Sequence, residues 1–249
     1  MSGLAWGFGY LGQPHILARF MAIRSQKEVP LARRVSVTWA VTAMSFAVAV
    51  GLAGIAYFDS PLKDPESVFI ALVPAVLPAW IAGILLAAVL AAIMSTADSQ
   101  LLVASASLTE DVYRTFVRRD ASPQVLVWVG RATVIGVAVV AYALALGGGS
   151  VLDLVAYAWA GFGAAFGPVI VASLYWRRMN WVGALSGMVG GAATVLIYRQ
   201  LDPIGLYEMV PAVAVAVLAI IVGNRFGPQP TAGMGNDFDR VAARAQGTD

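Results

Sequence analysis

Residues 35–58 read VSVTWAVTAMSFAVAVGLAGIAYF, with no charged side chain from Val35 to Phe58. At about 1.5 Å of rise per residue, such a stretch is long enough as a helix to cross a hydrocarbon layer of roughly 30 Å. Similar runs follow at Pro78–Ala97, Val125–Leu146, Leu154–Trp176, Trp181–Tyr198 and Met209–Asn224, and Leu4–Met21 reads as part of another. Six complete spans and one partial one are therefore expected. The composition agrees: of 249 residues, 59% are hydrophobic and only 12% charged. The charged share is about half the roughly 25% usual in soluble domains. This balance excludes a water-soluble enzyme, a nucleic-acid binder and a disordered chain, and names lipid as the solvent.

The charges between the spans carry the orientation. If Arg19–Arg34 is cytoplasmic, successive crossings gather Arg19, Arg24, Lys27, Arg33, Arg34, Arg114, Arg118, Arg119, Arg131, Arg177, Arg178, Arg225, Arg240 and Arg244 on or near the inner side. Only Lys63 and Arg199 of the 16 basic residues then fall outside. A positive-inside bias of this kind is lost if the number of spans is wrong. Trp80, Trp128, Tyr175, Trp176, Trp181 and Tyr198 stand near span ends, where amphipathic rings prefer the headgroup region. Glu66–Val76 reads as a short outer helix, Arg114–Arg119 as a solvated inner loop, and the tail from Gly227 as a loose cytoplasmic end. No charged n-region precedes the first apolar segment, so no secretory signal is expected.

Three segments exceed what anchoring requires. Residues 6–15, WGFGYLGQPH, place three glycines and a proline inside half a span. Either the span is kinked and packed by small residues, or its helix is broken and opens backbone groups to a cavity. Residues 91–100, AAIMSTADSQ, set the adjacent hydroxyls of Ser95 and Thr96 one turn beyond the Ala92 carbonyl. Three neutral oxygens suit a small hard cation such as Na⁺; hydroxyls also serve simply to pack helices closely. Asp98 is ionisable in or near the span, the usual mark of function there or of a solvated mouth. Residues 157–168, YAWAGFGAAFGP, lack nucleotide-loop spacing and read as a close-packed helix with a hinge at Gly167-Pro168, Trp159 being an auxiliary aromatic. The chain has no cysteine and one histidine, His15, which excludes thiolate sites and leaves no metal or catalytic cluster. His15 itself reads as a satisfied polar residue rather than a proton relay. No repeated ring of charges marks a channel pore.

With WGFGYLGQPHILARFM (6–21), MSTADSQLLV (94–103), LTEDVY (108–113), WVGR (128–131) and YAWAGFG (157–163), the chain resembles the sodium:solute symporter family, in its proline-transporting branch. The resemblance implies an all-α, polytopic membrane helix bundle of the leucine-transporter-like inverted-repeat fold, represented here by the second repeat and the terminal helices. Residues 1–226 would then be a transmembrane domain without its N-terminal half, and 227–249 a cytoplasmic tail. It implies Ala92, Ser95 and Thr96 as sodium ligands and Trp6, Tyr10 and Pro14 as solute-side residues. The implied activity is sodium-driven uptake of L-proline at the cell (inner) membrane, without enzymatic chemistry, an organic cofactor or a nucleic-acid partner. A sibling symporter for another small organic solute and a membrane domain that does not transport are the alternatives.

Overall fold

The computed structural model describes residues 2–201 and 205–245, all of whose regular structure is helical. The helices are α1 (Ser2–Gly9), α2 (Pro14–Met21), α3 (Val29–Tyr57), α4 (Val68–Val76), α5 (Ala79–Ala106), α6 (Pro123–Ala145), α7 (Val151–Tyr175), α8 (Trp181–Leu201), α9 (Met209–Phe226) and α10 (Ala232–Ala245). Among the described residues, six helical stretches are long and apolar enough to span a membrane, and they coincide with the six expected from hydropathy. The protein is a multi-pass membrane protein. Boundaries differ where polar residues adjoin a span. Helix α3 starts at Val29, carrying Arg33 and Arg34 in its first turns, and α5 runs beyond Ala97 into a π-helical stretch, Ser107–Val117. A helix persists past the hydrocarbon edge because its backbone bonds are internal and long polar side chains reach water.

The residues form two compact units, Met21–Val151 and Met1–Phe20 with Leu152–Asp249. In the first, the 3₁₀ turn Pro65–Ser67 and α4 form the short helical segment expected over Glu66–Val76; Gly54 of α3 lies against Val68, and the Tyr57 hydroxyl donates to the Ala75 carbonyl at 3.4 Å. Helices α5 and α6 meet where the buried Ser105 hydroxyl donates to the Gly130 carbonyl at 3.0 Å. The Glu66 carboxylate accepts from the Ser150 hydroxyl and the Val151 amide, each at 2.9 Å. Large side chains such as Trp39, Phe46 and Ile55 remain exposed on α3.

The second unit holds the core. Ala160, Ala164, Val195, Met209 and Ala212 are buried together, with Phe8 and Tyr157 packed on them. Gly183, Gly187 and Gly191 repeat every four residues along α8 and let it approach α7 and α9. Lipid does not drive such packing hydrophobically; close backbone contact does. Helix α7 passes without interruption through Gly167-Pro168, and the Phe8 ring fills the space beside Gly167.

One expectation is corrected. The tail is not loose over Ala232–Ala245 but helical. Met234, Phe238 and Val241 recur at helical spacing, and the Arg177 guanidinium grips the Asp239 carboxylate with two bonds of 2.8 Å.

Candidate functional site

The expected irregularity in residues 6–15 is a true break. Helix α1 ends at Gly9, a 3₁₀ turn covers Tyr10–Gly12, and Gln13 is extended at φ −87° and ψ 112°. Pro14 then opens α2, where its missing N–H costs no bond and its fixed φ suits the first turn. Extension at Gln13 is what a following proline imposes. The Gln13 carbonyl accepts from the Ile16 and Leu17 amides at 3.1 and 3.0 Å, closing the new helix.

The break lies against α7, and Trp159 is its pivot. The Trp159 indole N–H donates to the Trp6 carbonyl at 3.0 Å. Its ring stacks on Trp6, centroids 5.4 Å apart at 23°, and meets Tyr10 edge-on at 4.8 Å and 83°. The Gln13 side chain, 4% exposed, donates back to the Trp159 carbonyl at 3.5 Å. Close approach depends on glycine. Gly9 faces the Trp159 ring, Gly12 faces the Phe162 carbonyl, and a Cβ on Gly163 would stand 2.9 Å from the Gly9 Cα. Trp6 and Tyr10, four residues apart, thus share one aromatic wall. Pro14 sits one turn further, at the head of α2, outside that ring contact. The wall offers π faces and the helix ends offer backbone dipoles. Among the described residues, no group of three His, Cys, Asp or Glu side chains could hold a metal.

Sequence reading gave Trp159 only an auxiliary part; its large ring beside the glycines of α7 was the available signal. It missed the cluster beyond it. The Arg199 guanidinium lies 4.8 Å over the Tyr157 ring and pairs with the nearly buried Glu208 carboxylate at 3.2 Å. The Tyr207 hydroxyl donates to the Ala156 carbonyl at 2.8 Å. Burial, and secondarily the nearby Glu208 charge, push the Tyr207 phenol up to about 12. Separate segments supply these groups, so no local motif announces them.

The hydroxyl cluster belongs to the other unit. On α5 the Thr96 hydroxyl donates to the Ala92 carbonyl at 3.2 Å and the Ser99 hydroxyl to the Ser95 carbonyl at 2.7 Å. Donation uses the Thr96 proton and leaves its oxygen lone pairs available. Ala92, Ser95, Thr96 and Asp98 are all exposed on this unit. Helical spacing puts Ala92, Ser95 and Thr96 on one face, at i, i+3 and i+4.

The sequence profile described as "Sodium:solute symporter family" matches residues 1–191. This chain belongs to the sodium:solute symporter family. It is 50% identical over 251 residues to the sodium/proline symporter of Escherichia coli (strain K12), with 98% of this chain and 50% of that protein covered. The sodium/proline symporter of Salmonella typhimurium is 49% identical over the same shares. The high-affinity proline transporter PutP of Bacillus subtilis (strain 168) is 47% identical over 96% of this chain and 52% of its own length. The chain thus spans about half the length of the curated relatives it matches. No solved structure gives a significant match.

Proposed function

We propose that this chain is the C-terminal part of a symporter that takes up L-proline with sodium across the cell membrane. Its ends would lie so that 1–226 form the membrane domain and the C-terminus is cytoplasmic. The observation that carries the reading is the broken helix held against Trp159, in a chain half identical to sodium/proline symporters over nearly its whole length. A proline ring is apolar and suits the wall of Trp6, Tyr10 and Trp159. Its carboxylate and secondary ammonium call for opposite partners. The amides at the start of a helix favour the first and carbonyls at a helix end favour the second. A break in a span supplies both kinds of end at membrane depth.

Sodium is the co-transported ion. Ala92 O, Ser95 Oγ and Thr96 Oγ1 are neutral, so they bind it without the depth of a carboxylate cage and let it leave. Each inward charge gains about 2.3 kcal/mol per 100 mV of potential. Ion and solute must raise each other's affinity by the same factor for that energy to drive uptake.

The test is uptake of labelled proline by the full-length protein in proteoliposomes under an imposed inward sodium gradient. Concentrative, sodium-dependent uptake that unlabelled proline suppresses supports the proposal. Indifference to sodium overturns the coupling. Sodium-driven uptake that another small solute suppresses better than proline assigns the substrate to that solute.

A further inference from the structure

Helix α8 ends at Leu201 and α9 begins at Met209. Arg199 lies in the last turn of the first and Glu208 at the start of the second. Ionisable groups at the ends of two apolar spans exceed what anchoring needs. Here they meet: Arg199 Nη1 is 3.2 Å from Glu208 Oε1, and the Glu208 side chain is only 11% exposed. A carboxylate withdrawn this far from water depends on its partner. The backbone fixes both Tyr207 and Glu208 to α9, since their carbonyls accept from the Val210 and Ala212 amides at 3.0 and 3.2 Å.

Three consecutive residues, Tyr207, Glu208 and Met209, bind the start of α9 to α7. The Tyr207 hydroxyl donates to the Ala156 carbonyl at 2.8 Å. Glu208 acts through Arg199, whose guanidinium lies 4.8 Å over the Tyr157 ring. Met209 is buried with Ala160 and Ala164, and its sulfur would stand 3.4 Å from a Cβ on Gly163. Ala156, Ala160 and Gly163 recur at helical spacing on one side of α7. Trp159 leaves the helix within that stretch, toward Trp6 and Tyr10. The contacts with α9 therefore bracket the residue on which the aromatic wall turns. Apolar packing by Met209 brings the helices together, but it has no direction of its own. Rotation about the α7 axis is opposed by the directional contacts, the Tyr207 hydrogen bond and the flat guanidinium on the Tyr157 ring.

We propose, resting on the symport reading for what the wall binds, that Arg199 and Glu208 are positioning residues. Their ion pair, seated on the Tyr157 ring, clamps α7 to the start of α9 and holds Trp159 at the angle that meets Trp6 and Tyr10. The pair touches neither solute nor ion. Glu208 holds the guanidinium over the ring, where water would otherwise draw it away. An unclamped α7 samples rotations in which the Trp6, Tyr10 and Trp159 rings no longer line one surface. Solute must then select the minority of molecules in which they do. The loss shows as weaker solute binding with the ion coupling intact.

The experiment uses the full-length protein in proteoliposomes, read by uptake of labelled proline and by fluorine NMR of protein carrying fluorotryptophan. The Trp159 and Trp39 resonances are assigned by their loss in W159F and W39F. If loss of the clamp leaves a competent wall in about a tenth of molecules, Glu208→Gln should raise the half-saturating proline concentration about tenfold. Its maximal rate per folded protein should match the wild type's, as should the factor by which sodium lowers that concentration. The Trp159 resonance should shift or broaden, while that of Trp39, in the other unit, stays in place. Arg199→Gln and the double substitution R199Q/E208Q should each match Glu208→Gln, as members of one pair do. Tyr157→Phe, which keeps the ring, should behave as the wild type. An unmoved Trp159 resonance in E208Q overturns the clamp. So does an unchanged half-saturating concentration with less folded protein, which would make the pair merely structural. Additive losses in the double substitution, or an altered sodium factor, overturn it as well. Should E208Q fail to fold, Tyr157→Leu removes the seat of the guanidinium instead; it should give the same rise and the same resonance shift, and wild-type values refute the clamp. Absence of sodium-driven proline uptake by the wild type sinks the symport reading alone, and the Trp159 resonance then judges the clamp.

Discussion

Gly163 shows how much one hydrogen in place of a methyl decides. A Cβ there would press on the Gly9 Cα at 2.9 Å and on the Met209 sulfur at 3.4 Å. Gly163→Ala should cost about 1–3 kcal/mol by overpacking and lower the thermal midpoint of the solubilised protein. An unchanged midpoint would mean that α1 does not rest on α7. Tyr207 gives a pH dependence of definite sign. With its pKa raised from the ordinary value near 10 to about 12, the folded protein holds the phenolic proton more tightly than the unfolded chain. That stabilisation is complete below about pH 10 and is lost as pH rises toward about 12. Tyr207→Phe should lose about 1 kcal/mol at neutral pH with the bond to the Ala156 carbonyl. It should also flatten the extra decline of the midpoint between those two pH values. A decline identical to the wild type's would refute the assignment. That the stretch holding Trp6 and Tyr10 departs from a plain span was legible, because a span rarely carries such aromatics among glycines and a proline. The role of Trp159 was not, since sequence distance hides a partner 153 residues from Trp6.

At the scale of elements, α8 offers a graded test. Gly183, Gly187 and Gly191 share one face, but their neighbours differ in what can yield. Near Gly187 the obstacles are side chains, Ile220 through its Cγ1 and through its Cδ1 at 2.9 Å, and Val169 Cγ2 at 3.1 Å, which can shift further than a backbone can. Near Gly191 the obstacle is the α7 backbone, the Ala164 carbonyl carbon at 2.7 Å and the Ala165 nitrogen at 3.1 Å. Gly191→Ala should therefore destabilise more than Gly187→Ala, by about 1 kcal/mol or more, in parallel thermal-denaturation measurements. A reversed order would show that the two helices are not packed on this face. Hydropathy located four of the six spans to within a turn, because a long uncharged run has no stable alternative to a helix in lipid. It missed six residues at the start of α3 and nine at the end of α5, where polar residues continue the helix. The glycines and proline of residues 6–15 left a kink or a break open, and the structure shows the break, at residues 10–13. Hydropathy misjudged the tail, for a single apolar stripe of Met234, Phe238 and Val241 helps a helix only when a surface is there to receive it.

At the scale of the molecule, the proposed cation site is judged by transport. Thr96→Val should raise the sodium concentration needed for half-maximal proline uptake by about 10- to 100-fold, the worth of one charge–dipole contact. Thr96→Ser, which keeps the hydroxyl, should remain near the wild type. The same Val substitution should weaken sodium's enhancement of proline binding and proline's enhancement of sodium binding by an equal factor. Unequal factors, or an unchanged sodium requirement, would remove Thr96 from the ligands.

Composition and the spacing of charged residues by themselves determined that this protein lives in a bilayer and where its spans run, and the glycines and proline of residues 6–15 marked the segment that is not a plain span. Those properties follow from the cost of unpaired backbone and bare charge in hydrocarbon, which each segment meets alone. Which glycine faces which backbone, that Trp159 joins the two sides of the break, that Arg199 pairs with the nearly buried Glu208, and that the last helix folds back beside Trp176 were decided only by tertiary structure. In a membrane span, residues facing lipid and residues facing protein are equally apolar. Hydropathy cannot separate them, and only the close approach of one helix to another does.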